Sequence, residues 1–191
     1  MDIKNTANLL INFTIRRIAE IFGIVVLSGG IFLLTALLSY SLEDPNFIFP
    51  SDTKIKNILG FQGSFISDLF FQSAGQISYL ISFTLIITGV NIFKMKDFFL
   101  IIENIFFSII YSIFASLFLS YFYTNAFTLY INGNGGFVGN YLNQTFLNNI
   151  ISINEIVFYY ILIFIILFLF LISLNFKPFK FYLYIKKILT F

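Results

Sequence analysis

The 191-residue chain has no cysteine, no histidine and no tryptophan, and only 10% of its residues are charged. Without cysteine there is no disulfide and no thiolate nucleophile. Without histidine the imidazole base and the usual zinc ligands go too. No cofactor or metal is expected. Soluble domains carry about 25% charged residues, so the shortage of charge excludes an ordinary water-facing surface. The abundance of Ile, Phe and Asn reads as coding bias and carries no functional information.

What is present is apolar: 59% of residues are hydrophobic and the mean hydropathy is +0.93. A bilayer core of about 30 Å is crossed by roughly 20 helical residues. Four runs are long enough, at 21–42, 73–93, 104–124 and 156–176, and none contains Asp, Glu, Lys or Arg. The fold class expected is an all-α membrane protein, a four-transmembrane-helix bundle over 21–176. It is flanked by an N-terminal segment, 1–20, and a basic-aromatic tail, 177–191. The first run exceeds the roughly 7 to 15 residues of a signal-peptide core and no A-x-A site follows, so it reads as a retained anchor.

Lys4, Arg16, Arg17, Lys94, Lys96, Lys177, Lys180, Lys186 and Lys187 fall on one side of this arrangement, leaving only Lys54 and Lys56 on the other. The positive-inside rule then puts both termini in the cytoplasm. The long loops 43–72 and 125–155 face outward.

Each outer loop carries a similar phrase: GFQGSFISDLFF at 60–71 and GFVGNYLNQTFL at 136–147. The chain therefore reads as two hairpins of one topology, span, loop, span, related as a parallel repeat. Chance recurrence of common residues is the alternative. Behind the glycines, Phe65, Ile66, Leu69 and Phe70 recur at helical spacing, as do Tyr141, Leu142, Phe146 and Ile150. Short helices with a polar face of Ser64, Ser67 and Asp68, or of Asn140, Asn143 and Gln144, suit the membrane–water interface. Helices that merely lid a bundle would read the same way.

In the third run Ser108, Ser112, Ser116 and Ser120 repeat every four residues on one face. Small hydroxylated residues let helices approach and bond across the contact, with Ser28, Gly29 and Gly30 of the first run as a mate. Alternatively each serine bonds its own i−4 carbonyl and the stripe faces lipid. The tail KPFKFYLYIKK, 177–187, interleaves basic and aromatic residues, a pattern of nucleic-acid binding and, directly after a span, of interfacial anchoring.

SYSLEDPNF at 39–47, NILGFQGSFISDLFF at 57–71 and Gly75 together resemble the N-terminal four-span membrane domain of the FtsK/SpoIIIE DNA translocases. The matching residues are Tyr40, Asp44, Pro45, Asn57, Gly60, Gly63, Asp68 and Gly75. GGFVGNYL, with Gly135, Gly136 and Gly139, is similar to the family's Gly-Gly-x-x-Gly element before span four. Phe47 departs from the tryptophan many members have nearby. The resemblance implies a bacterial inner-membrane anchor at the division septum, a hexameric homo-oligomer contacting other division proteins, with DNA handled by a separate motor. The motor's G-x-x-x-x-G-K-[ST] loop does not occur in these residues, so a non-catalytic domain is expected.

The rival reading is a small transporter or channel subunit. Such proteins keep ionisable groups inside the bilayer. Here no span contains one, and Glu103 and Glu155 sit at span ends. Enzyme chemistry has less to rest on, because Asp44, Asp52 and Asp68 lack a histidine partner.

Overall fold

The computed structural model of the protein describes residues 3–45, 54–124 and 132–177. The described residues are mostly helical and contain no strand. Among them seven helices run in order: α1 (Ile3–Leu38), α2 (Gly60–Ala74), α3 (Ser78–Met95), α4 (Phe99–Phe122), α5 (Gly136–Asn143), α6 (Phe146–Ile153) and α7 (Glu155–Ser173). Four segments are long and apolar enough to cross a membrane: Asn8–Leu38, Gly60–Met95, Phe99–Phe122 and Glu155–Ser173.

The helices differ from the sequence expectation mainly at their ends. α1 starts well before residue 21. At about 1.5 Å per residue its 36 residues reach about 54 Å, more than a bilayer core requires. The second spanning helix starts at Ser78 because the chain breaks at Gly75, whose φ of +63° ends α2 and leads into a single 3₁₀ turn, Gly75–Ile77. Between α3 and α4 the reversal is tight. Lys96 closes α3 in the left-handed region, and its N–H bonds Ile92 O at 2.7 Å.

α1 lies along α3, and α4 along α7, so the bundle is two hairpins joined by a lighter α3–α4 contact. The first hairpin closes through small residues. A Cβ on Gly23 would lie 2.7 Å from Phe93 N, and one on Gly30 would lie 2.7 Å from Ile86 N. Ala19 and Ala36 are likewise fully buried. Lipid tails are as apolar as leucine, so helices in a bilayer gain from close backbone packing rather than from hiding apolar surface. Accordingly Phe164, Phe168, Ile109 and Phe106 are exposed, while Ser78, Ser82, Thr84, Thr88, Asn104 and Ser116 are buried.

Gly30 therefore mates with α3 rather than with the serine face of α4, and Gly29 faces open space. At the α3–α4 turn, Glu20 of α1 accepts from Arg17 at 2.6 Å and pairs with Lys96 at 2.8 Å. This clusters charge at the end of the bundle opposite α2, α5 and α6.

Candidate functional site

The loop end of the bundle gathers nearly all the motif residues. After α1, residues 39–45 fold back on themselves, and the Asp44 N–H bonds Ser41 O at 3.2 Å. The buried Asp44 carboxylate accepts the Lys56 N–H on one oxygen (2.7 Å) and the Asn57 N–H on the other (2.8 Å). This clamps the two ends of the loop together across residues 46–53, which include Phe47 and Asp52 and lie outside the described residues. Asn57 then turns inward. Its Nδ2 donates to Ala36 O near the end of α1 (2.9 Å), and its Oδ1 accepts the Leu59 N–H (3.0 Å). Ser64 donates to Pro45 O (2.8 Å), and Tyr40 donates to Asp68 (3.0 Å). Outside this knot Lys56 donates to Glu43, and that bond holds the Glu43 carboxyl below its ordinary value.

The glycines shape this region by what they leave out. Gly60 opens α2 with φ +67°, and Gly136 opens α5 with φ +63°. In each case the glycine N–H bonds the carbonyl three residues earlier, Asn57 O at 2.9 Å and Gly133 O at 3.2 Å. The two copies of the phrase thus adopt one local conformation. Their second glycines are also alike in being packed tight. A Cβ on Gly63 would lie 2.6 Å from Leu59 Cβ and would displace the Asn57 amide, and one on Gly139 would lie 2.8 Å from Ser116 C. Asn57 and Asn134 play matching parts as well. Asn134 donates to Tyr123 O at the end of α4, as Asn57 donates to the end of α1.

The two loops meet at Gly75. The Gln76 N–H bonds Asn134 O at 2.9 Å, and a Cβ on Gly75 would stand 2.7 Å from Gly136 N. Asn132 adds bonds to Gln72 Oε1 (2.9 Å) and to Gln72 O (3.2 Å). Through this crossing the first hairpin's loop is tied to the second's.

The serine stripe of α4 divides between the two roles open to it. Ser116 donates across to Ala74 O (3.2 Å) and Ser120 to Asn140 (3.3 Å), and Gly135 and Gly139 lie against both serines. Ser112, in contrast, bonds its own helix at Ser108 O (2.6 Å). Ser108 and Ser112 border a groove of about 290 Å³ between α3 and α4.

The amphipathic helix expected behind Gly60 and Gly63 forms as α2, with its polar face turned inward. Ser64, Ser67 and Asp68 are buried, while Phe61 and Leu69 are exposed. Where lipid is the solvent, the apolar face is at ease outside and the polar groups find partners in the protein.

Of a buried polar network elsewhere in the bundle, only Ser108 was singled out in the sequence. Thr84 shares a hydrogen bond with Tyr111 at 2.9 Å, Ser108 donates to Tyr111 (3.3 Å), and Ser173 lies 3.4 Å from Thr84. Below it Asn104 donates to Thr88 (2.9 Å), and Asn175 donates to Asn104 (2.6 Å). This network joins α3, α4 and the end of α7. Its only sequence signal was polar residues inside apolar runs. The tail beyond Lys177 lies outside the described residues, so neither reading of it is placed.

Both motif carboxylates are engaged in holding loops, Asp44 by backbone donors and Asp68 by Tyr40. The arrangement fastens four helices to one another and presents apolar surface to lipid. It defines the class, a polytopic α-helical membrane domain with a knotted loop end.

Residues 15–183 match the family described as the 4TM region of DNA translocase FtsK/SpoIIIE, and the chain belongs to that family. Over 78 residues, 41% of this chain, it is 33% identical to the DNA translocase FtsK of Rickettsia bellii and 28% identical to that of Rhizobium meliloti. These stretches are 10% and 9% of those proteins, so the likeness covers a small part of their length. The 4TM region of FtsK is the membrane domain and not the motor. No solved structure matches the chain.

Proposed function

We propose that this domain is the membrane anchor of a DNA translocase acting in cell division and chromosome partition, placed in the bacterial inner membrane and enriched at the septum. The observation that carries the reading is the family match across 15–183, which takes in all four spans. The domain works by binding and does no chemistry of its own, in keeping with Asp44 and Asp68 being bound within the loops. Both termini are cytoplasmic. The positive-inside rule supports this, because Arg16, Arg17, Lys94, Lys96 and Lys177 share one end, with Lys54 and Lys56 at the other. Copies of the chain assemble with one another and with division proteins, while DNA is engaged only through a motor domain.

The test is localisation in a dividing bacterium of the domain fused to a fluorescent protein. Enrichment at midcell, lost in Gly63→Val and kept in Asp68→Asn, is the expected result. A valine at 63 drives Asn57 out of its bonds to Ala36 and Leu59, whereas Asp68→Asn keeps an acceptor for Tyr40. Uniform membrane fluorescence in cells with intact division sites would refute the septal reading and favour a transporter.

A further inference from the structure

Glu155 is the only charged residue between Asn104 and Phe176, and it begins α7 among aromatic rings. Phe122 and Tyr159 stand at 89° with centroids 5.1 Å apart, and Tyr159 and Tyr160 at 87° and 5.5 Å. The three rings and Glu155, with Ile156, line an open cavity of about 230 Å³. Two hydrogen bonds set its walls: Tyr121 donates to Glu155 Oε1 at 2.9 Å, and the Tyr123 and Tyr159 hydroxyls meet at 3.0 Å. Among the described residues no lysine or arginine pairs with Glu155.

We propose that this cage binds the ammonium headgroup of a zwitterionic membrane lipid. Ring faces are negative and attract cations, most strongly when several faces surround one cation. The carboxylate supplies the opposite charge, with Oε1 held by Tyr121. The cavity is smaller than the roughly 300–1,000 Å³ of a pocket for a drug-sized molecule, which suits a headgroup fragment. The depth is right as well. The 19 residues of α7 rise about 28 Å against a hydrocarbon core of about 30 Å. Its first turn therefore lies at headgroup level, where lipid ammonium groups are concentrated. Rings at that level are common as a simple belt. Perpendicular walls around an isolated carboxylate are the additional feature here.

The test is native mass spectrometry of the purified chain released from detergent with phosphatidylcholine, phosphatidylethanolamine or phosphatidylglycerol of one acyl composition. The three lipids share phosphate and tails, and only the first two carry an ammonium group. Retention of at least one zwitterionic lipid about tenfold over phosphatidylglycerol is expected. Glu155→Gln and Tyr160→Leu should each remove most of that preference, while Tyr160→Phe keeps it. Tyr160 is largely exposed, so these variants leave the bundle intact, which an unchanged helical spectrum checks. Tetramethylammonium chloride should displace the bound lipid. Equal retention of all three lipids would overturn the site and leave an ordinary aromatic belt. So would a preference that survives Glu155→Gln and Tyr160→Leu, or a lipid that tetramethylammonium cannot displace.

Discussion

A single methyl group at Gly75 tests how the two hairpins are joined. Gly75 has φ +63° and ψ −142°, a backbone region that L side chains rarely occupy. Holding an alanine there costs about 1–3 kcal/mol. The added Cβ would also stand 2.5 Å from Asn134 C and 2.7 Å from Gly136 N. These are backbone atoms, so no rotamer can relieve the clash. The loops must separate, and the Gln76 N–H to Asn134 O bond goes with them. An unpaired buried peptide group costs about 1–3 kcal/mol, so Gly75→Ala should destabilise by about 2–6 kcal/mol. At about 2–4 °C per kcal/mol for a chain of this size, the melting temperature in detergent should fall by roughly 4–24 °C. Gly29→Ala is the matched control. Gly29 lies within α1 with nothing near its absent Cβ, and replacing it should stabilise by about 0.5–1 kcal/mol through backbone entropy alone. The measurement is loss of helical ellipticity on heating, read alongside size-exclusion retention. If Gly75→Ala melted with the parent while Gly29→Ala behaved as stated, the loops would not cross at Gly75.

Ser116→Leu should cost about 2–4 kcal/mol, because Ser116 is fully buried, bonds Ala74 O and lies beneath Gly135 and Gly139. Ser112→Leu should stay within about 1 kcal/mol, since its hydroxyl bonds its own helix and its side borders the α3–α4 groove. Thermal melts of the two variants in one detergent compare them. Tyr111→Phe removes two buried bonds, to Thr84 and Ser108, and at about 0.6–1.7 kcal/mol per bond in a membrane should lower stability by about 1–3 kcal/mol. For topology, the cysteine-free chain allows single labels. An impermeant maleimide on intact cells should modify Gln62→Cys and spare Lys177→Cys, both at exposed positions, and the reverse pattern would invert the orientation.

The helical spans were legible because the bilayer itself sets their length and composition. Twenty apolar residues without a charge have few other uses. The motif positions were read from their resemblance to the family's loops, and glycine, asparagine and aspartate in loops are the residue types that turn the backbone or bond it. Gly60 opens α2 with positive φ, whereas Gly63, also expected at a turn, lies inside α2 and leaves room for Asn57; Asp44 takes two backbone donors. The start of α3 was not legible. Residues 73–77 carry no charge and no proline and run unbroken into the span at Ser78. Only the crossing with Asn134 makes Gly75 a break.

The sequence by itself determined that the chain lives in a bilayer and how many times it crosses. Those properties come from local composition measured against membrane thickness. Tertiary structure decided which faces meet. Periodicity points to a buried side only when the solvent rejects apolar groups, and lipid accepts them. An apolar stripe therefore does not say whether it packs on protein or on acyl chains. Only the folded chain turned Ser64 and Asp68 inward, set Gly30 against Ile86 rather than the serine stripe, and brought Gly75 to Gly136 from more than sixty positions away.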